Sequence, residues 1–365
     1  MKKGILVSLS GILLPILLGG GPIAVDRAEA KNPEVWITVG PENLIQVVDT
    51  DTKTVVSEIS LELGKGPWKI GFTTDRRDAF VTCLESPQVV LFDVEARAER
   101  KAIDLGFLPS AIGITPDDRY LYVADGQRNT VSIFEIGAFP LIKKVGVGDR
   151  PVSLAFSPDG AFAYVLNQGD HTVSIMRTSD YAVAETVEVG LWPSAMVLSP
   201  DGQQAYVLTG GEGRIEVIRW SDQQSVERID VGKDPEGLAI TSDGKLILVW
   251  LRNNRNLQLF DTAQNKVVST ISLSAFPQEV AISSEGHFAY ALVMSPNGRR
   301  GLDVISMAAL LNHTAGLLHN PHETPLHGLD VFALARLFED LRKWDDAARL
   351  YERALESELP EAGFA

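Results

Sequence analysis

The chain has 365 residues, a formal net charge of −15 and a single cysteine, Cys83. That charge disfavours nucleic-acid binding, and one cysteine excludes an internal disulfide, so a folded domain must rest on the size of its core. At this length one large core is available, because a domain of about 300 residues buries about 75% of its unfolded surface.

Residues 1–30 read as an export signal. Lys2 and Lys3 precede an apolar run from Ile5 to Leu18, and Ala28-Glu29-Ala30 forms a small-x-small cleavage site. The apolar run is shorter than the ~20 residues a membrane span needs and is broken by Pro15, so no span is expected once the signal is removed. The expected location is periplasmic or secreted.

From residue 31 to residue 311 the chain repeats. Prolines at 67, 109, 151, 193, 235 and 277 stand 42 residues apart, and the acidic turn residue keeps the same step at Asp75, Asp117, Asp159, Asp201, Asp243 and Glu285. A large residue follows at Phe80, Tyr122, Tyr164, Tyr206, Leu248 and Tyr290. Each copy holds four short apolar runs with alternation of period two, and a stride near 42 with four strands marks propeller blades. The fold expected is all-β, a seven-bladed β-propeller of four-stranded repeats; residues 35–320 make 6.8 strides, which suits seven blades better than six.

A row of blades left open would expose about six large aliphatics at each end. At roughly 1.5 to 3 kcal/mol each, that is comparable to a whole net stability of about 5 to 15 kcal/mol, so the ring must close. Before Pro67, the runs Val35–Val39, Leu44–Asp49 and Val55–Leu63 match strands two, three and four of a blade that lacks its innermost strand. The strands still missing are sought between Asn312 and Asp330.

The runs Tyr122 to Ile136 (YVADGQRNTVSIFEI) and Val147 to Gly160 (VGDRPVSLAFSPDG) resemble the YVTN-type propeller repeat of exported and surface proteins. That repeat sits within a wider class that includes seven-bladed lactonase-like propellers. The resemblance covers residues 35 to about 310; it implies the fold and carries no shared catalytic residues. One copy, 64–106, departs from it with TDRRD in place of SPDG, which predicts a differently shaped turn.

Beyond the ring, residues 312–329 form a linker with His313, His319, His322 and His327, whose spacing and intervening prolines suit solvated chain better than a metal site. Residues 330–365 resemble a single tetratricopeptide-like helix pair, with Leu334, Ala335, Phe338, Ala347, Tyr351 and Ala354 at the helical offsets. One pair cannot bury its own stripe, which predicts docking on the ring, a protein partner or an oligomer through this helical hairpin.

Function is sought on the face, termed upper, that carries the loops between blades and those between strands two and three. The G-x-x-P loops place Lys65, Phe107, Arg150, Trp192, Lys233 and Phe276 around the mouth, a rim in which aromatics stack and charges orient a ligand. Arg252 and Arg255 in one loop, with Arg299 and Arg300 in the next, form a local basic crescent suited to a carboxylate or phosphate. His171 and His287 fall on opposite faces and cannot share a proton relay. No catalytic residue, metal ligand or cofactor motif stands out, so the sequence favours a binding or scaffold protein for a protein partner or small anionic ligand. The alternative is a lactonase-like hydrolase using upper-face loops.

Overall fold

The computed structural model describes residues 23–25, 34–49, 54–221, 224–283, 286, 288–296 and 300–307. The helix pair expected at 330–365, the linker at 312–329, His287 and Arg299 lie outside these residues, as does the side chain of Arg300. Among the described residues the strands form seven antiparallel sheets, six of four strands and one of three. Seven blades, not six, make the ring.

Within each sheet the strands follow chain order. In the fourth blade they are Pro151–Phe156, Phe162–Asn167, Thr172–Arg177 and Val183–Glu188. The repeat's prolines open the inner strands at Pro67, Pro109, Pro151, Pro193 and Pro235, and the seventh inner strand is Phe276–Ile282. A first strand position suits proline because no ladder donor is needed there. Phe80, Tyr122, Tyr164, Tyr206, Leu248 and Tyr290 are all buried, filling the space between neighbouring blades. The outer strands face water: Leu141–Gly146 is almost wholly exposed, and Lys143 and Lys144 charge that edge against pairing with another chain.

The ring closes by packing. Val35, Ile37, Val39 and Val48 of the first blade share one buried cluster with Tyr290, Leu292 and Leu302 of the last. The missing inner strand of the first blade is Ile23–Val25, which pairs antiparallel with Glu34–Val39 in the register Ile23 to Ile37. It comes from before the first blade, not from beyond Asn312, and it lies inside the segment read as an export signal. The inner edge of Glu34–Val39 would otherwise leave backbone groups unpaired in the hub, and the nearest free chain in sequence satisfies them.

The lower turns share one bonding scheme. Ser157 Oγ donates to Asp159 Oδ1 at 2.6 Å and accepts from Phe162 N at 2.9 Å, while Ala161 N donates to Asp159 Oδ1 at 3.0 Å. The divergent TDRRD copy does the same: Thr73 Oγ1 donates to Asp75 Oδ1 at 2.8 Å and accepts from Asp78 N at 3.1 Å. Its turn is therefore not reshaped. Arg76, with φ 59°, takes the left-handed position that Gly160 holds at 70°, and the Thr and Asp side chains, not the glycine, dictate the geometry.

Candidate functional site

The loops between blades and the loops between strands two and three lie on one face, held together by backbone bonds. Gln168 N donates to Arg150 O at 2.9 Å, Gly210 N to Trp192 O at 2.9 Å, and Arg252 N to Asp234 O at 2.9 Å. The upper rim is therefore a set of paired loops with fixed spacing.

The rim residues separate into three groups. Phe107 is buried between the second and third blades, with Lys144 Nζ 5.2 Å from its ring centre, and it offers no surface to a ligand. Lys65 and Lys233 are exposed, and Arg150 is half-buried. Arg252 is committed to Glu236, its Nη2 and Nε lying 3.0 and 3.2 Å from Oε1. Arg255 sits over Phe276, 5.1 Å from the ring centre, a cation–π contact. Arg252 and Arg255 thus each have a partner of their own and do not form a free pair of arginines.

Trp192 differs from the others. It is 50% exposed, yet its backbone holds φ at 52°, a region unfavourable to a bulky residue and to one that precedes proline. Its N–H donates to His171 Nδ1 at 3.2 Å, which leaves Nε2 to carry the imidazole proton, and the two rings meet edge to face at 5.8 Å. Beneath it lies Gly211, where a Cβ would come within 2.9 Å of Trp192 Cδ1. A glycine is needed there for the indole to lie down. Strain of this kind persists only where surrounding contacts over-determine it.

Inside the mouth is a cluster that the loop-based reading missed. Lys69, on the inner strand of the second blade, is 1% exposed and reaches across the hub to donate to Val152 O of the fourth blade at 3.2 Å. Burial pushes its ammonium down to about 7, with the Glu279 carboxylate opposing. Burial pushes Glu279, on the seventh blade, up to about 8, against the pull of Lys69 and with a further push from Glu236. Glu236 is also raised by burial, held back by Arg252. Glu279 and Glu236 are half-buried. Two acids and two bases from the second, sixth and seventh blades therefore converge below the rim.

A signal for this cluster is present in the sequence. The second residue after each repeat proline is Lys69, Ala111, Ser153, Ala195, Gly237 and Glu279; two ionisable groups stand in a row of small ones, at the narrowest layer of the ring. Cys83, by contrast, is buried and its thiol is pushed up to about 11, as a core residue's would be. Among the described residues no group of three or more His, Cys, Asp or Glu is placed to hold a metal ion.

Fold and hub together define a seven-bladed β-propeller. Residues 45–183 match the family described as lactonase, 7-bladed beta-propeller. Among solved structures, the chain resembles hydrazine synthase from Kuenenia stuttgartiensis with a TM-score of 0.62 and 22% identity, covering 71% of this chain and 82% of that one. It also resembles a functionally unknown protein from Desulfotomaculum acetoxidans with a TM-score of 0.65 and 15% identity, covering 74% and 92%. At these identities the two structures speak for the fold alone. A search of the curated proteins gave no match.

Proposed function

We propose that this protein is an exported propeller that binds a ligand or partner protein on its upper face, with the chain beyond Asn312 as a second contact surface. One observation carries the reading: Trp192 is half exposed while its backbone is strained and pinned by His171. A surface aromatic held at such a cost is suited to contact, since rigid aromatics dominate binding energies. Exposed Lys65, Lys233 and Arg255, in other loops of the same face, would orient a charged partner. Capture of partners from the source organism's extract with the full chain, and with a chain ending at Asn320, tests both surfaces. Loss of a partner on truncation assigns that partner to the C-terminal segment, and identical partner sets remove that segment from the account.

A second reading, lactone hydrolysis, is favoured by the convergence of Lys69, Glu279 and Glu236 in the hub together with the match over residues 45–183. A group that titrates near neutrality can move a proton at working pH. Turnover of any member of a lactone panel, lost in Glu279→Gln, would establish it. No turnover leaves the cluster as a brace between blades.

A further inference from the structure

The upper face carries apolar tips of its own. Among the described residues eight large hydrophobic side chains are exposed, and four of them, Leu63, Leu108, Leu191 and Trp192, stand in the loops between blades, each 40% to 50% open to water. The others lie on outer strands or, for Phe288, beside a lower turn. Those loops are a small part of the ring, so the concentration on one face marks a contact surface.

The tips are held in place and spread out. Leu63 N donates to Glu99 Oε2 at 3.1 Å, Gly211 N donates to Leu191 O at 3.1 Å, and Trp192 N is bound by His171. Leu63 lies between the first and second blades, Leu108 between the second and third, and Leu191 with Trp192 between the fourth and fifth. Along such an arc they form no groove. An occupant that meets all three loops at once is broad and flat.

The chain before the first blade reaches the ring from the same side. Val39 leads into the upper loop at 40–43, and Ile23 pairs with Ile37 while Val25 pairs with Val35, so Ile23 is the upper end of its strand. Only Gly19, Gly20, Gly21 and Pro22 separate it from the apolar run Ile5 to Leu18. Cleavage at Ala30 would strip Ile23–Val25 from the first blade; an uncut chain keeps the strand and, with it, an apolar run joined at the upper mouth. That run is too short to span a membrane but suited to lie in its surface.

Charge does not supply the contact. The net charge of −15 repels an anionic surface, and the exposed rim bases Lys65 and Lys233 are accompanied by exposed Glu62 and Asp234. Attraction then rests on apolar area, and tryptophan is suited to a lipid–water boundary.

We infer that the upper face rests on a lipid bilayer, with Leu63, Leu108, Leu191 and Trp192 entering its interface beside the apolar N-terminal run. The inference rests on the upper-face reading and names what that face meets.

A fluorophore whose emission rises on leaving water, NBD, tests it on the full chain. Cys83 is buried and does not label, so the probe reports Leu191→Cys on the upper rim or Gln203→Cys in a lower turn, both exposed positions at which an unchanged melting curve verifies the fold. With vesicles of phosphatidylcholine, alone or mixed with phosphatidylglycerol, emission at position 191 rises about twofold or more and keeps that rise in about 0.5 M salt, while position 203 stays unchanged. The inference is overturned if position 191 does not respond to either vesicle, if position 203 responds equally, or if salt abolishes the rise. A response at 191 to lipid-free protein extract, with none to vesicles, replaces the membrane by a protein partner and leaves the upper face as the binding surface. A response at 203 alone removes both.

Discussion

Lys69 and Glu279 occupy one repeat position in two blades five strides apart, and the ring brings them to interact across the hub, where burial lowers the lysine to about 7 and raises the glutamate to about 8. Their order is inverted from that in water. Neither group has a neighbour of opposite charge in its own strand, so the relationship exists only because the blades meet at an axis.

This pair sets a pH profile. Unfolded, Glu279 loses its proton near 4.5; folded, it keeps it to about 8, so its stabilising contribution is complete below 4.5 and is lost as pH rises through about 8. Lys69 acts oppositely: unfolded it stays charged to about 10.5 and folded only to about 7, so its contribution is complete above 10.5 and is lost as pH falls through about 7. The pair therefore stabilises least between about 7 and 8. Urea midpoints measured from pH 4 to 11 should show this, Glu279→Gln removing the fall on the acid side and Lys69→Met the rise on the alkaline side. Unchanged profiles in both variants would mean the pair does not titrate in this range.

Ring closure predicts a stability effect at the seam. Leu292 is buried among Val35, Ile37 and Val39 of the first blade, and Leu292→Ala should cost about 2 to 5 kcal/mol in denaturant unfolding. A loss under about 1 kcal/mol would mean that the first and last blades are not packed.

The inner strand Ile23–Val25 makes a separate prediction. A chain beginning at Lys31 lacks it, leaving the inner edge of Glu34–Val39 without its partner. Amide exchange in Glu34–Val39 should then be faster than in a chain beginning at Gly20, while exchange in the fourth blade stays the same. Equal protection of Glu34–Val39 in the two chains would show that this strand contributes nothing to the first blade.

The lower turns govern the acid limb. Asp159, Asp201 and Asp243 are held below the usual carboxylate range, first by Ser157, Ser199 and Thr241 and then by backbone N–H groups, among other contacts. A depressed carboxyl contributes stability that is present above its unfolded value of 3.8 and lost as pH falls through its folded one. Asp201→Asn should flatten the acid limb below pH 4 without altering stability change between pH 6 and 8.

Much of this architecture is legible in the sequence because a propeller is a one-dimensional repeat bent into a circle. The six prolines place the inner strands, and Tyr122, Tyr164, Tyr206 and Tyr290 place the packing between blades. What the stride does not carry is which side chain turns inward once the circle closes. Phe107 and Trp192 sit in corresponding loops one position apart, yet the first is buried and the second half open, because Trp192 has Gly211 to lie on. Arg252 reads as a free cation in its loop and is paired with Glu236, sixteen residues earlier across the same hairpin. The inner strand of the first blade carries no repeat signature and lies in a stretch whose composition points to export.

Which face makes contact is tested most directly by photocrosslinking. Benzoylphenylalanine placed at position 192 on the upper rim, or at position 201 in a lower turn, is irradiated in the source organism's extract and its adducts are resolved by mass spectrometry. Adducts from position 192 that are absent from position 201 are the predicted result. Adducts from position 201 alone would contradict an upper binding face.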